Sequence, residues 1–300
     1  MTGKIPGGLT LSEILPPAQA AGYGVAAFSC RYRACIRPVV EAALELRSPV
    51  IVEVSQRELG WFQVTPHLFR EELERAVTEL RADIPFALHL DHSWDLPVIQ
   101  SAIDAGFTSV MIDASTRPLA DNIAATAEVV AIAHAAAVSV EAELGKLTTT
   151  DKLESENDEE MFTDPAEARE FVTGSRCDAL AVSVGTAHGV YPVASPRIDF
   201  DRLAEIRREI GPTPLVLHGG SGLPTETVHR AMGLPGGGIS KMNIGTDLEQ
   251  ALLSALGGRE RMTSAELDAV DPALLAPALA AVKEVARGKM RDFVRSAGRA

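Results

Sequence analysis

The sequence predicts an α/β fold, a closed (β/α)8 barrel with an extra C-terminal helix. Three observations carry the prediction. Short β-type runs alternate with amphipathic helical stretches almost to the end of the chain, eight pairs can be read in order, and polar residues interrupt the runs mainly at their C-terminal ends.

The elements follow in order. Strands are expected at Gly24–Phe28, Val50–Val54, Phe86–Leu90, Ser109–Ile112, Ser139–Glu143, Ala179–Val184, Leu215–His218 and Ile239–Ile244. Helices fit between and after them over 35–46, 67–82, 95–105, 119–136, 165–173, 200–209, 224–232 and 246–256. The runs are nearly continuous in Ala, Leu and Val, as strands buried on both faces require. A last helical segment, about 271–296, lies beyond the eighth unit. We therefore expect residues 1–300 to form a single barrel domain, with 258–300 as a C-terminal helical extension packed across the barrel or against a partner subunit. A doubly wound sheet is the alternative. The stretch 146–162, KLTTTDKLESENDEEMF, breaks the rhythm: it is polar and acidic and follows a strand, so in a barrel it lies at the C-terminal face as a solvated loop or an active-site lid. Gly233–Gly238 is a second flexible point.

Bulk properties narrow the function. A net charge of −13 argues against a nucleic-acid surface. The three cysteines, Cys30, Cys35 and Cys177, form no CxxC pair and their number is odd, which favours a reducing cytoplasm over a disulfide framework. No run is long and apolar enough to span a bilayer, so no membrane partner is expected.

The polar strand ends meet at one rim. They supply His89, Asp91 and His92; Asp113; Glu141 and Glu143; His188; His218 with Gly219, Gly220, Ser221 and Gly222; and Asn243, Gly245, Thr246 and Asp247. Three imidazoles, His92, His188 and His218, can converge on one ion and leave coordination positions open, the arrangement of a catalytic centre. Imidazole favours zinc or a similar borderline ion. His67, His134 and His229 fall in helices and are read as outer-ring residues. Gly189, Gly219, Gly220 and Gly222 leave backbone N–H groups unshielded, and Ser221 and Thr246 add hydroxyls, at the place where many barrels hold phosphate. Asp91, beside His92, is a candidate proton carrier, an orienting group, an alternate ligand, or a plain acceptor for backbone N–H. Glu143 and Asp113 suit a secondary cation site or a support for the ligands.

Taken together, LHLDH at 88–92, VMIDAS at 110–115, VEAELG at 140–145, FTDP at 162–165, VGTAHGVY at 184–191, VLHGGSGLP at 216–224 and KMNIGTD at 241–247 resemble the class II, metal-dependent fructose-bisphosphate and tagatose-bisphosphate aldolases, nearly end to end. The resemblance implies that His92, His188 and His218 ligate a catalytic zinc, with Glu143, near Asp113, at an alternate buried metal position. It implies that Asp91 carries the proton of the substrate C4 hydroxyl. Gly189, Gly219, Ser221, Gly245 and Thr246 are implied as the cradle for the phosphate of dihydroxyacetone phosphate, Asn243 as the residue that holds that substrate's hydroxyl, and Ser55 as a further substrate contact. Members are commonly homodimers or homotetramers and often use a monovalent cation, Na+ or K+.

Three departures fall on the acceptor-aldehyde side. AFSCRYR puts Ser29, Arg31 and Arg33 where the family usually has Asn. TTTDK replaces GGEED, so an ungapped count places Asp151 as the lid acid, with Glu154 and Glu156 as rivals. QRELGWF follows Ser55, bringing in Arg57 and Trp61. Arg31, Arg33 and Arg57 are candidates for gripping a distal phosphate, or are ordinary exposed arginines.

The expected activity is reversible cleavage of a fructose- or tagatose-type ketose 1,6-bisphosphate to dihydroxyacetone phosphate and an aldehyde. The alternatives are an aldolase for another ketose 1-phosphate and a non-catalytic companion subunit or sugar-phosphate-binding protein. A Schiff-base aldolase needs a desolvated lysine on an inner strand face. ALAVSV has none, and Lys241 is read at the base of the last strand. A barrel zinc hydrolase usually wants an HxH pair on the first strand, which reads GVAAFS.

Overall fold

The computed structural model describes residues 3–146, 162–188 and 198–300, with the backbone alone at 148–149 and 188. The expectations placed on Asp151, Glu154, Glu156 and Gly189 lie outside the described residues, as does the side chain of His188. In chain order the elements are α1 (Leu11–Ala21), β1 (Val25–Ser29), α2 (Ile36–Leu46), β2 (Val50–Ser55), α3 (Gln56–Trp61), α4 (Pro66–Glu79), β3 (Phe86–Asp91), α5 (Leu96–Ala105), β4 (Ser109–Ile112), α6 (Leu119–Ala135), β5 (Ser139–Leu144), β6 (Thr148–Thr149), α7 (Pro165–Ser175), β7 (Ala179–Val182), β8 (Ala187–His188), α8 (Phe200–Ile210), β9 (Leu215–Leu217), α9 (Thr225–Met232), β10 (Ile239–Ile244), α10 (Thr246–Ala255), α11 (Ser264–Asp268) and α12 (Pro272–Gly288), followed by a π turn at Lys289–Phe293.

Eight of the strands close a parallel barrel in the order β1-β10-β9-β7-β5-β4-β3-β2. This is the predicted (β/α)8 architecture, with α11 and α12 as its C-terminal addition. The short pair β6 and β8 forms a separate parallel ladder, Thr148 against Ala187 and Thr149 against His188. Among the described residues, no helix is long and apolar enough to cross a membrane.

Two helices had no counterpart in the sequence reading. α1 precedes the barrel and buries Leu11, Ile14, Leu15 and Ala18 against Val25, Ala27, Ile51, Ala87, Met111, Ala179, Ala181 and Val216. These strand residues are the inward-facing members at the N-terminal end, so α1 plugs the bottom of the barrel. Its start is fixed by a capping box, in which Glu13 accepts from the Thr10 amide at 2.8 Å. α3 follows β2 directly and starts on a second capping box, with the Ser55 hydroxyl accepting from the Glu58 amide at 3.2 Å.

Because alternate residues of each strand face inward, the barrel interior is layered. Above the apolar layer met by α1 come Glu53, His89, Glu141 and Lys241, all of them buried. Above these, at the C-terminal rim, come Asp91, Glu143, His218 and Asn243. The polar layers correct the reading of Lys241. It lies mid-strand and 0% exposed inside the barrel, not at its base.

Candidate active site

At the rim, β3 brings two neighbouring residues to one place. Strand alternation would aim Asp91 and His92 to opposite faces. His92 instead adopts φ 31°, a left-handed conformation sparsely open to residues with a side chain. This turn folds its ring back over the barrel mouth, where ligand atoms of Asp91, His92 and His218 all lie within 4.8 Å of one another.

The rings of His92 and His218 meet, with His92 Nε2 and His218 Nδ1 2.8 Å apart and the rings edge to face. The other nitrogen of each ring meets a carboxylate: His92 Nδ1 lies 3.1 Å from Asp113 Oδ2, and His218 Nε2 lies 2.8 Å from Glu141 Oε1. Such backing orients imidazoles and fixes which nitrogen carries the proton. Asp113 is itself held by the Ser115 hydroxyl at 2.7 Å. Glu143 Oε2 stands 3.6 Å from His92 Nδ1 and 3.6 Å from His218 Nδ1, and His92, Asp113 and Glu143 form a second convergent set. Burial pushes the Glu143 carboxyl up to about 8, reinforced by the Asp113 charge. His92 moves the other way from its burial: Asp91 and Asp113 outweigh desolvation and raise it to about 10. Burial and the charge on His92 hold His218 below the ordinary histidine range. Asp91 is buried, yet His92, His218 and Lys241 keep it ionised well below the usual carboxylate range.

The donor set suits a divalent cation. Glu143 Oε2 is buried without a hydrogen-bond partner at the point where the two rings converge. Imidazole and carboxylate together fit zinc or a similar ion better than a hard cation such as calcium. Asn243 completes this edge, donating from Nδ2 to Asp91 Oδ1 at 3.0 Å.

The glycine loop after β9 sits across the barrel from Asp91. Gly219 has φ 68°, and a Cβ there would press into the Ala187 carbonyl, 2.8 Å from its carbon. Gly220 donates to the Asn243 carbonyl at 3.0 Å, and its Cβ would meet that oxygen at 2.7 Å. Ser221 Oγ accepts from the Asp247 amide at 3.2 Å and so joins this loop to the start of α10. Gly245 is the N-cap of α10 and Thr246 its first residue. The structure thus brings Ser221 to the N-terminus of α10, where Gly245 and Thr246 lie, a place that favours anions.

The acceptor-side residues fall in a tight ionic network. Glu58 accepts from the Ser29 hydroxyl at 2.8 Å, the Ser55 amide at 3.0 Å and Arg31 Nε at 2.8 Å. Arg31 also bonds Glu249, which Arg261 grips at 2.7 and 2.8 Å. The Arg31 charge is therefore matched by two carboxylates. Arg57 lies over Trp61, 5.7 Å from the ring centroid, and Arg33 is 3.8 Å from Asp268. Ser55 was singled out as a substrate contact; its oxygen serves first as a helix cap.

Sequence reasoning set His89 and Glu141 at the rim and Lys241 at the base, and missed Glu53 and the buried layer the four form. Lys241 Nζ lies 2.9 Å from Glu141 Oε2, 3.2 Å from Glu53 Oε2 and 2.7 Å from Asn243 Oδ1. Burial works against its charge, but Glu141, Glu53 and Asp91 outweigh it and hold the ammonium protonated beyond the ordinary lysine range. A Schiff-base nucleophile must be a neutral amine, so this lysine is poorly set for one despite its inner position. Burial and the Asp91 charge push Glu53 well up, and burial brings His89 down to about 3. The signal was present: Glu141 and Glu143, His89 and Asp91, and Lys241 and Asn243 are polar pairs two apart in apolar strands.

Comparison with known proteins bears on this geometry. The family model for class-II fructose-bisphosphate aldolase matches residues 9–299. A Bacillus subtilis (strain 168) protein described as a probable fructose-bisphosphate aldolase is 38% identical over 290 residues, covering 95% of this chain and 97% of its own length. The crystal structure of the YdjI aldolase from Escherichia coli K12 superposes with a TM-score of 0.81 at 31% identity, covering 98% of this chain and 99% of that one. A Campylobacter jejuni fructose-bisphosphate aldolase, at 22% identity and a TM-score of 0.75 over 96% of this chain and 97% of its own, shares the fold. With a family-model match over residues 9–299 and a relative 38% identical over 95% of this chain, the chain belongs to the class II fructose-bisphosphate aldolase family.

Proposed function

We propose that this protein is a zinc-dependent aldolase that reversibly cleaves a ketose 1,6-bisphosphate of the fructose or tagatose type to dihydroxyacetone phosphate and an aldehyde. The observation that carries the reading is the convergence of Asp91, His92 and His218 at the barrel mouth, in a member of this family. His92, His188 and His218 would hold the ion, with Glu143 at an alternate position. The ion supplies Lewis acidity for the negative charge that builds at C3 when the C3–C4 bond breaks.

The remaining work falls to the chain. Asp91, kept ionised by its cationic neighbours, accepts the C4 hydroxyl proton during cleavage and returns it during condensation. Asn243 holds the substrate hydroxyl through its amide. Gly219, Ser221, Gly245, Thr246 and Gly189 seat the phosphate at the α10 N-terminus. Asp151 is proposed to exchange the C3 proton, and Ser55 to contact the acceptor end. We also carry forward, from the family pattern, a single barrel domain with 146–162 as lid, a homodimer or homotetramer, a monovalent cation near the phosphate, and a cytoplasmic location. Sedimentation velocity checks the assembly.

The deciding experiment is a screen of ketose 1-phosphates and 1,6-bisphosphates with zinc, against an EDTA-treated control. Cleavage that requires zinc and falls about 10³-fold or more in Asp91→Ala is expected. Cleavage indifferent to EDTA, or Asp91→Ala with near-normal turnover and metal content, refutes the reading.

A further inference from the structure

Lys241 has no part in the proposed chemistry, yet it is sealed inside the barrel. It enters the interior where the β9–β10 register shifts between Ile239 and Lys241, an irregularity of the kind that re-aims a side chain. Its ammonium reaches Asn243 Oδ1, Glu141 Oε2 and Glu53 Oε2, and comes within 4.0 Å of Asp91 Oδ1.

Two orientations at the rim follow from these contacts. An ammonium donates and never accepts. Asn243 must therefore turn its oxygen to Lys241, which leaves its amide nitrogen facing Asp91, where it donates at 3.0 Å. On the other side, Lys241 anchors one oxygen of Glu141, while the second accepts from His218 Nε2 at 2.8 Å. That bond places the imidazole proton on Nε2 and leaves Nδ1, the atom facing His92, as a lone pair.

We propose that Lys241 is a positioning residue, which from inside the barrel fixes the Asn243 amide against Asp91 and, through Glu141, directs the His218 Nδ1 lone pair to the ion-binding position. The inference rests on reading Asp91, Asn243 and His218 as aldolase site residues. Without the ammonium, Asp91 alone selects the flip of the Asn243 amide, the Asn243 oxygen loses its donor, and Glu141 loses an ion pair in a dry interior.

The test uses Lys241→Met, Asn243→Ala and Glu141→Gln, singly and paired. Turnover is measured on the zinc-loaded full chain, zinc affinity on the stripped protein by chelator competition, and folding by circular dichroism. Lys241→Met is expected to lower kcat about 100-fold with KM within about 3-fold, and paired with Asn243→Ala to be about as slow as the slower single variant, because groups acting as a unit are not additive. Zinc affinity should fall about 10-fold in Lys241→Met, and no further in Lys241→Met/Glu141→Gln than in Glu141→Gln. Losses that multiply in either cycle overturn the proposal. If Lys241→Met does not fold, Lys241→Leu, likewise unable to donate to Asn243, carries the same cycles; failure of both to fold assigns Lys241 to the core and also overturns it. The zinc cycle needs no turnover. A wild-type protein that binds zinc but cleaves no ketose phosphate therefore refutes the aldolase reading, and the zinc cycle alone then judges Lys241.

Discussion

Replacing Gly219 by alanine separates two effects that coincide at this position, because Gly257 offers one of them alone. Both glycines have left-handed backbone, φ 68° and φ 92°, but a Cβ at Gly257 meets nothing within 4 Å. Gly257→Ala therefore costs only the left-handed penalty, about 1–2 kcal/mol. At Gly219 the new methyl would lie 2.8 Å from the Ala187 carbonyl carbon. Carbon atoms rest at about 3.5–4.0 Å, so the loop must retreat by roughly 0.7 Å from a backbone that has no flexible end to yield. Overpacking of this kind adds about 1–3 kcal/mol. The retreat also displaces His218 on one side and Ser221 on the other. A misplacement of about 1 Å in a reacting constellation can cost ~10²-fold. Gly219→Ala should thus lose about 2–5 kcal/mol of stability and on the order of 10²-fold in kcat/KM, whereas Gly257→Ala keeps kcat/KM within about 2-fold. Urea unfolding and steady-state cleavage of the best ketose phosphate check both variants. If Gly219→Ala matches Gly257→Ala in kcat/KM, the loop is not pinned against Ala187 in the way described.

Other outcomes follow from the same structure. Glu249 is partly buried and its pKa lies below the ordinary value of 4.5, with Arg261 and Arg31 overcoming the effect of burial; its contribution is full above that value and disappears as pH falls through the lowered one. Glu249→Gln should thus cost about 1–3 kcal/mol at pH 7, and the gap to wild type in thermal melts should close on acidification below about pH 4; a gap constant with pH contradicts the pairing. Burial raises the Cys35 and Cys177 thiols to about 12, and Cys30 is likewise raised, so the folded protein should leave all three thiols unlabelled by a thiol reagent at pH 8 and release them in denaturant. Fast native labelling of Cys177 would count against its packing. Zinc at about 1,000 times its Kd should raise the unfolding free energy of the stripped protein by about 4 kcal/mol, and His218→Ala should remove most of that gain, as read by melts with and without zinc.

The barrel was legible because parallel strands buried on both faces write themselves as short apolar runs. The fourth and eighth strands have the expected ends, and the sixth stops two residues early, at Val182. There the Ser183 amide donates to the Thr163 hydroxyl at 2.8 Å, a side-chain partner that no strand pattern announces. α1 was hidden by Pro16 and Pro17, which read as breakers although burial of four apolar residues carries the helix through them. α3 was hidden by its length, although Ser55 and Glu58 spell a capping box. At the site, residue type and strand position brought out His92, His218, Asp91 and Asn243. The left-handed turn of His92 is a torsion, and hydrophobic periodicity contains no torsions. The Lys241 layer was misread for a different reason: strand register inside a closed barrel decides depth, and register is set by neighbours far apart in sequence.

The plug formed by α1 has a consequence for synthesis. The helix is translated before the barrel strands, but the wall it fits includes Ala179, Ala181 and Val216. While only the first half of the chain has emerged, Leu11, Ile14 and Leu15 have part of a socket and no closed one. A segment made before the barrel strands is therefore seated late, and the strands that complete its socket also bring His218 to the rim. Closing the floor and assembling the mouth become one event in the life of the nascent chain.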